Sequence, residues 1–272
     1  MSIYADSPLG RSVSVLRERG PRVLAKEVKK RTRGAVYAPY WEYEYGIDRE
    51  HGFRAASSTE FPVFRDLLAN LHTGDVFYDV GAYTGLFTLP VADVLPPGHV
   101  VAFEPSDEAA ALESSLEEAG LDATVVQKAV SAGHGADYYT SDGIDRVGLL
   151  GDDEERIDVP TIDGTEVLAS ELPLPTVVKI DVFGAEVDVV TGLEPVLERT
   201  ECRLVYCELH LPTSFQRKRP ETVFENFLDT WSFTEIVRTL YRCGFEVEPM
   251  YLRSDTHDLF IRAYRPETTA AK

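Results

Sequence analysis

From Gly74 onward the chain alternates between short runs that are apolar almost throughout and longer segments with helical spacing. The pattern predicts strands over 75–80, 99–104, 124–130, 176–182 and 203–210. It predicts helices over 85–95, 107–119, 166–172, 185–198 and 220–243. Runs such as "TVVKIDV" and "RLVYCEL" have no regular polar face, so both of their faces must be covered. That is the habit of strands in a parallel sheet lying between helices. Right-handed crossovers then give a doubly wound α/β fold. Two further strands, over 247–253 and 258–264, flank a short "SDTH" connection and predict an antiparallel pair at the end of the sheet.

Residues 136–162 break the alternation. They are polar and turn-rich with short strand-like pieces, and predict a small β excursion at the sheet edge. The domain division expected is an N-terminal extension over 1–59, basic and then aromatic, followed by the α/β domain over 60–272. The aromatic stretch 37–53 suits core or lid packing better than stacking on a sugar.

The loop after the first strand, "FYDVGAYTGLF" over 77–87, narrows the ligand. In open α/β sheets, ligands bind at the carboxyl ends of the strands. The spacing G-A-Y-T-G is not the G-x-G-x-x-G that sets a pyrophosphate on a helix N-terminus. An Asp also stands two residues before the first glycine, and an anion would gain nothing from that carboxylate. A cationic ligand without phosphate would, and S-adenosylmethionine is one. Asp79 can orient the loop or meet the ligand's amino-acid end. Gly81 removes a Cβ from the approach. Glu104, 25 residues after Asp79, ends the second strand and can accept both ribose hydroxyls. The competing explanation is a structural turn with Glu104 as a surface cap.

The blocks "GDVFYDVGAYTGLFTL", "VVAFEPS", "QKAVS", "VVKIDVFGAEVDVVTGL" and "LVYCELH" resemble the FkbM family of S-adenosylmethionine-dependent methyltransferases. The resemblance covers roughly residues 60–210, and the segment after Glu221 also suits it. It implies a class I, Rossmann-like methyltransferase with a mostly parallel sheet ending in an antiparallel C-terminal pair. The implied reaction is O-methylation of a hydroxyl or carboxyl on a sugar, glycan or similar metabolite. The implied cofactor-binding residues are Glu60, Asp79, Gly81, Ala82, Tyr83, Thr84, Gly85, Glu104, Pro105, Ser106, Lys128, Ala129 and Asp181. Two positions depart from the family pattern: Tyr83 stands where Asn is usual, and Phe183 where Glu is usual.

Four residues are candidates for the chemistry. Lys179 and Asp181 share one face of the fourth strand by its period of two, as do Glu208 and His210 on the fifth. Methyl transfer is an in-line displacement, and a sugar hydroxyl needs its proton taken. Histidine suits that task. The expectation is His210 as base, with Glu208 orienting it or binding the acceptor. Asp181 would hold the methionine ammonium or the acceptor hydroxyl, and Lys179 would pair with Asp181. Asp181, Glu208 and His210 could ligate a metal, but no spacing demands one and none is expected. "LPTSFQRKRP" brings Arg217, Lys218 and Arg219 after the fifth strand, which suits an anionic acceptor, or else a solvated turn.

The formal net charge is −19, with only seven lysines among 27 basic residues. Such a surface repels DNA and RNA and suits a protein kept soluble in high salt. The charge is uneven. Residues 1–34 carry nine basic and three acidic side chains, which allows contact with anionic lipid or a lipid-linked acceptor. No run is long and apolar enough for a membrane span or a secretory signal, so a cytoplasmic setting is expected. The three cysteines lack metal or disulfide spacing. Two rival functions remain: a catalytically silent methyltransferase-like binding protein, kept open by Phe183, and a nicotinamide-dependent oxidoreductase, disfavoured by the glycine spacing.

Overall fold

The computed structural model describes residues 21–132, 137–141, 144–147, 155–211, 232–253 and 258–266. Three expectations lie outside them: the basic segment before residue 21, the loop carrying Arg217 to Arg219, and the first part of the helix expected over 220–243.

Three helices lead in: α1 (Pro21–Tyr45), α2 (Arg49–Ser57) and α3 (Phe61–Asn70). The first half of the sheet follows as β1 (Phe77–Val80), α4 (Thr88–Ala92), β2 (Val100–Phe103), α5 (Glu108–Ala119) and β3 (Thr124–Val126). Short strands come next: β4 (Ala129–Val130), β5 (Asp137–Ser141), β6 (Ile144–Val147), β7 (Glu155–Asp158) and β8 (Thr161–Ile162). The second half is α6 (Gly164–Ala169), β9 (Val177–Ile180), α7 (Glu186–Gly192), α8 (Glu194–Leu197), β10 (Leu204–Leu209), α9 (Phe233–Arg242), β11 (Glu246–Leu252) and β12 (Leu259–Tyr264).

The main sheet has seven strands in the order β11-β12-β10-β9-β1-β2-β3. β1, β2, β3, β9 and β10 run parallel, and β12 is antiparallel to both of its neighbours. β1, β2, β9 and β10 are buried at every residue, as their continuous apolar runs require.

Alternate residues of these strands feed two cores. Phe77, Val100, Ala102, Val177, Leu204, Tyr206 and Phe260 face α1 to α5, where Trp41, Phe61, Phe64 and Leu112 meet them. Val80, Val101, Phe103, Val178, Ile180, Val205 and Cys207 face α6 to α9. Trp41, Ile47, Ala55 and Ala56 belong to the first core, so α1 and α2 are packed into it. Of the aromatics in 37–53, Trp41 is buried against Phe61 and Phe64, while Tyr43 is exposed.

Two expected elements divide. The strand over 124–130 stops at Val126, because Lys128 N–H bonds back to the Val126 carbonyl at 2.8 Å. That γ-type turn sends Ala129–Val130 off to pair with β8. The helix over 185–198 breaks at Leu193, ahead of Pro195, which occupies the first turn of α8. The expected excursion contains a three-stranded antiparallel sheet, β6-β5-β7.

Candidate active site

On the face toward α1–α5, β1, β9 and β10 start apolar and end charged. Phe77 is followed by Asp79, Val177 by Lys179 and then Asp181, Leu204 by Tyr206 and then Glu208. The register pairs Asp79 with Lys179 and Lys179 with Tyr206. Charged side chains thus gather at the carboxyl edge of one face.

Lys179 Nζ lies 3.1 Å from Asp79 Oδ1 and 3.4 Å from Asp181 Oδ2. Burial opposes the ammonium, but Asp79, Asp181 and Glu60 outweigh it and hold its pKa above the ordinary value. Asp79 is fully buried, and its other oxygen accepts from the Thr88 hydroxyl at 2.7 Å. Glu60, just before α3, joins the cluster. Burial and the Asp181 charge push its carboxyl up to about 7, against Lys179 and Arg253.

Glu208 is 1% exposed, and its Oε1 lies 2.7 Å from Arg253 Nη1. One of its carboxyl oxygens lies within 4.8 Å of one from half-buried Asp181. Burial, then Asp181, pushes Glu208 well above the usual range. Burial pushes Asp181 up too, but Lys179 and His210 outweigh it and hold it below that range.

His210, 3% exposed, has Nδ1 2.6 Å from Glu186 Oε1. Glu186 is fully buried, and the same oxygen accepts the Gly184 N–H at 3.0 Å. Burial alone would lower the His210 pKa. The hydrogen bond to Glu186 and the charges of Glu186, Glu208 and Asp181 bring it up to about 9. The Phe183 ring packs on the imidazole with centroids 4.4 Å apart. Ligand-type atoms of Asp181, Glu208 and His210 all lie within 4.8 Å of one another.

The glycine loop sits beside this cluster. Gly81 has φ +80°, and a Cβ there would stand 2.1 Å from the Asp181 carbonyl oxygen. The first glycine is therefore required by contact between the ends of β1 and β9. Gly85 has φ +76°, and a Cβ would meet Leu112 at 2.5 Å. Tyr83 also has positive φ, 48°, and is 54% exposed. Its N–H donates to Glu104 Oε2 at 2.8 Å. Glu104 Oε1 accepts from the Ser106 N–H at 3.0 Å and the Ser106 hydroxyl at 2.7 Å. Thr84 is half-buried, Ala82 is buried, and Pro105 links Glu104 to Ser106. Gln127 bonds the Ser106 carbonyl at 3.2 Å. Lys128 is half-buried at the γ-type turn, and Ala129 is buried in the β4–β8 pair.

Two residues of the cluster went unnamed as candidates. Glu186, not Glu208, holds His210; the "GAE" block that contains it was the available signal. Arg253 arrives from β11, and nothing in the strand-to-helix pattern points to it. The three cysteines are buried free thiols, and burial pushes Cys202 up to about 12 and Cys243 up to about 11.

The strand order, the glycine loop after β1, the acidic end of β2 and the charged ends of β9 and β10 define a class I methyltransferase fold. The family model of the methyltransferase FkbM domain matches residues 79–247, and the chain belongs to that family. No curated protein matches the sequence. Solved structures of similar course include precorrin-6y C5,15-methyltransferase from Geobacter metallireducens, 16% identical, covering 82% of this chain and 92% of that one, with TM-score 0.46. The FkbM methyltransferase from Methylobacillus flagellatus is 13% identical, covering 93% of this chain and 60% of that one, with TM-score 0.45. Magnesium protoporphyrin IX methyltransferase from Synechocystis, solved with S-adenosylmethionine, is 13% identical, covering 89% and 97%, with TM-score 0.45.

Proposed function

We propose that the protein transfers a methyl group from S-adenosylmethionine to a hydroxyl of a sugar, glycan or similarly hydroxylated metabolite. The observation that carries this reading is the buried Asp181–Glu208–His210 triangle beside the glycine loop and Glu104.

The donor set suits this cofactor. Five carboxyl groups (Glu60, Asp79, Asp181, Glu186 and Glu208) meet Lys179, Arg253 and His210, an acidic setting that favours a cationic nucleoside over a phosphate-bearing one. Glu104 would take one ribose hydroxyl: a carboxylate offers about four acceptor sites, and Tyr83 and Ser106 use three. Asp181 and Glu60 would face the amino-acid end. Asp79, fixed by Thr88 and Lys179, steadies the loop from behind. When bound, S-adenosylmethionine supplies a methyl group on a sulfonium.

The chain's own residues then align the acceptor and provide for its proton. Alignment of two bound reactants can supply about 7–11 kcal/mol of the barrier. Asp181 is the member of the triangle open to the cleft, and the acceptor hydroxyl lies against it. Glu208 is fixed by Arg253, and His210 by Glu186, so both keep their geometry as the acceptor changes. Residues 1–59 serve as a lid or acceptor-binding extension, and an anionic acceptor suits the basic segment 217–219.

Calorimetry with S-adenosylmethionine and with NAD, followed by labelled methyl donor in extract of the source organism, tests this. Donor binding and a labelled hydroxylated product are expected, with His210→Ala losing transfer but retaining donor binding. Tight donor binding without transfer to any acceptor would mean a silent binding protein. NAD binding in place of the donor would overturn the reading altogether.

A further inference from the structure

We propose that Asp181, Glu208 and His210 bind a divalent first-row transition-metal ion, of the Mn2+ type, at the carboxyl edge of the sheet. Their ligand-type atoms already fall within 4.8 Å of one another. An ion with bonds of about 2.0–2.2 Å holds opposite ligands roughly 4 Å apart, so closure needs only a small inward shift. One imidazole with two carboxylates suits Mn2+, Fe2+ or Zn2+ better than the all-oxygen shells of Ca2+ and Mg2+.

Two further observations point to a cation here. The first is the outer hold on the histidine. Glu186 Oε1 takes Nδ1 at 2.6 Å, and the Gly184 N–H steadies that carboxylate at 3.0 Å. Metal-ligating histidines characteristically give their second ring nitrogen to a carboxylate in this way, which fixes the tautomer and ring plane. With Nδ1 so engaged, Nε2 is the coordinating atom.

The second is the approach of Asp181 to Glu208. Oxygens of the two carboxyl groups lie within 4.8 Å of each other, and Glu208 is 1% exposed. Buried like charges at this range need a proton or a cation between them. Arg253 engages Glu208 through Oε1, and Lys179 faces Asp181 through Oδ2.

Three protein ligands leave positions open on the ion. A hydroxyl with a second oxygen on the neighbouring carbon, as in a sugar diol or a hydroxy acid, would chelate there. A hydroxyl bound to a metal loses its proton more readily. In methyl transfer the O–H proton then passes to solvent past the half-buried Asp181, the new O–C bond forms, and the C–S bond breaks to leave a neutral thioether. His210 serves as ligand rather than as proton acceptor. This chemical role rests on the methyl-transfer reading; the binding of the ion does not.

The test is a titration of chelator-stripped full-length protein with Mn2+ in about 1 M KCl, where charges on the acidic surface are screened beyond ~3 Å. Electron spin resonance reads the bound ion. One saturable site is expected, weakened at least tenfold in Glu208→Gln and in His210→Ala. Glu186→Gln weakens it by about 10–100-fold. The wild-type complex should also show imidazole nitrogen coupling to the ion, a readout that needs no variant to fold. Absence of a saturable site, an unchanged affinity in both ligand variants, or absence of nitrogen coupling would overturn the proposal. Calorimetry with S-adenosylmethionine on the metal-free protein reports separately whether the donor reading stands.

Discussion

Glu186 Oε1 lies 2.6 Å from His210 Nδ1, and both side chains are buried. The chain turns sharply after β9, with the Gly184 N–H bonded to the Val182 carbonyl at 2.8 Å. That turn sets Glu186 at the start of α7, beneath the end of β10. Glu186→Gln keeps the shape but removes the charge that His210 meets. A buried hydrogen bond to a charged group is worth about 1.5–3 kcal/mol, and a loss of that order in unfolding free energy is expected. Methyl transfer should fall by about 10–100-fold, because the His210 ring loses the carboxylate that fixes its orientation. Denaturant unfolding and turnover on the same preparation check both; an unchanged turnover would remove His210 from the reaction.

The strand ends were readable because their apolar runs are continuous. "TVVKIDV" and "RLVYCEL" fix where β9 and β10 stop, and with them the positions of Asp181, Glu208 and His210. What the sequence left hidden depends on contacts between distant segments. Glu186 meets His210 across 24 residues, and Arg253 meets Glu208 across 45. The break after Val126 was hidden for another reason: apolar residues resume at Ala129–Val130 after only Gln127 and Lys128, where the backbone turns. A further reason for Gly81 was also hidden in the loop alone: a Cβ there would stand 2.1 Å from the Asp181 carbonyl oxygen.

Tyr83 holds φ 48° with its side chain 54% exposed. The left-handed region costs an ordinary L-residue roughly 1–2 kcal/mol, and Asn tolerates it better. Little packing is lost at so exposed a side chain. Tyr83→Asn should therefore raise stability by about 0.5–1 kcal/mol, the strained fraction it relieves. The backbone N–H that donates to Glu104 is retained. A denaturant midpoint that stays level or falls would show that the tyrosine ring contributes more than its exposure suggests.

Gly81→Ala meets two penalties at once. The backbone sits at φ +80°, and the added methyl would press on the Asp181 carbonyl, which is backbone and has little room to move. A loss of more than about 2 kcal/mol in unfolding free energy is expected, the larger part from displacing that carbonyl. Because Asp181 heads the charged triangle, methyl transfer should suffer even at temperatures where the variant is folded. Gly85→Ala is the comparison. Its methyl meets side chains, the end of Leu112 at 2.5 Å and Leu89 at 3.2 Å, rather than backbone, so it should cost less.

His51 ties α2 to the sheet domain, with Nδ1 2.8 Å from Asp93 Oδ2. The hydrogen bond that His51 donates to Asp93 raises its pKa above the ordinary value, with Asp48 adding to the rise and burial and Arg54 opposing it. The folded state therefore holds the proton more tightly than the unfolded chain. This contribution to stability is fully present below the unfolded value of about 6.5 and is lost as pH rises through the higher folded value. Unfolding free energies of wild type and His51→Gln should differ most in acid and converge in alkali. A difference that stays constant with pH would mean that the imidazolium is not what Asp93 holds.

The net charge of −19 makes one more prediction, about salt. Like charges on a folded surface repel, and the unfolded chain relieves that repulsion by spreading them apart. Raising KCl from about 0.1 to 1 M shortens the screening length from ~10 to ~3 Å. The excess of carboxylates is then hidden from itself. Some attraction is lost at the same time, as in the partly exposed contacts of Arg262 with Asp66 and Glu248. Exposed pairs of this kind are worth roughly 0–1 kcal/mol each. With 46 acidic residues against 27 basic ones, repulsion outnumbers attraction, so the thermal midpoint should climb with KCl. NaCl should act alike, since screening depends on ionic strength. A midpoint that falls with either salt would show that the ion pairs dominate.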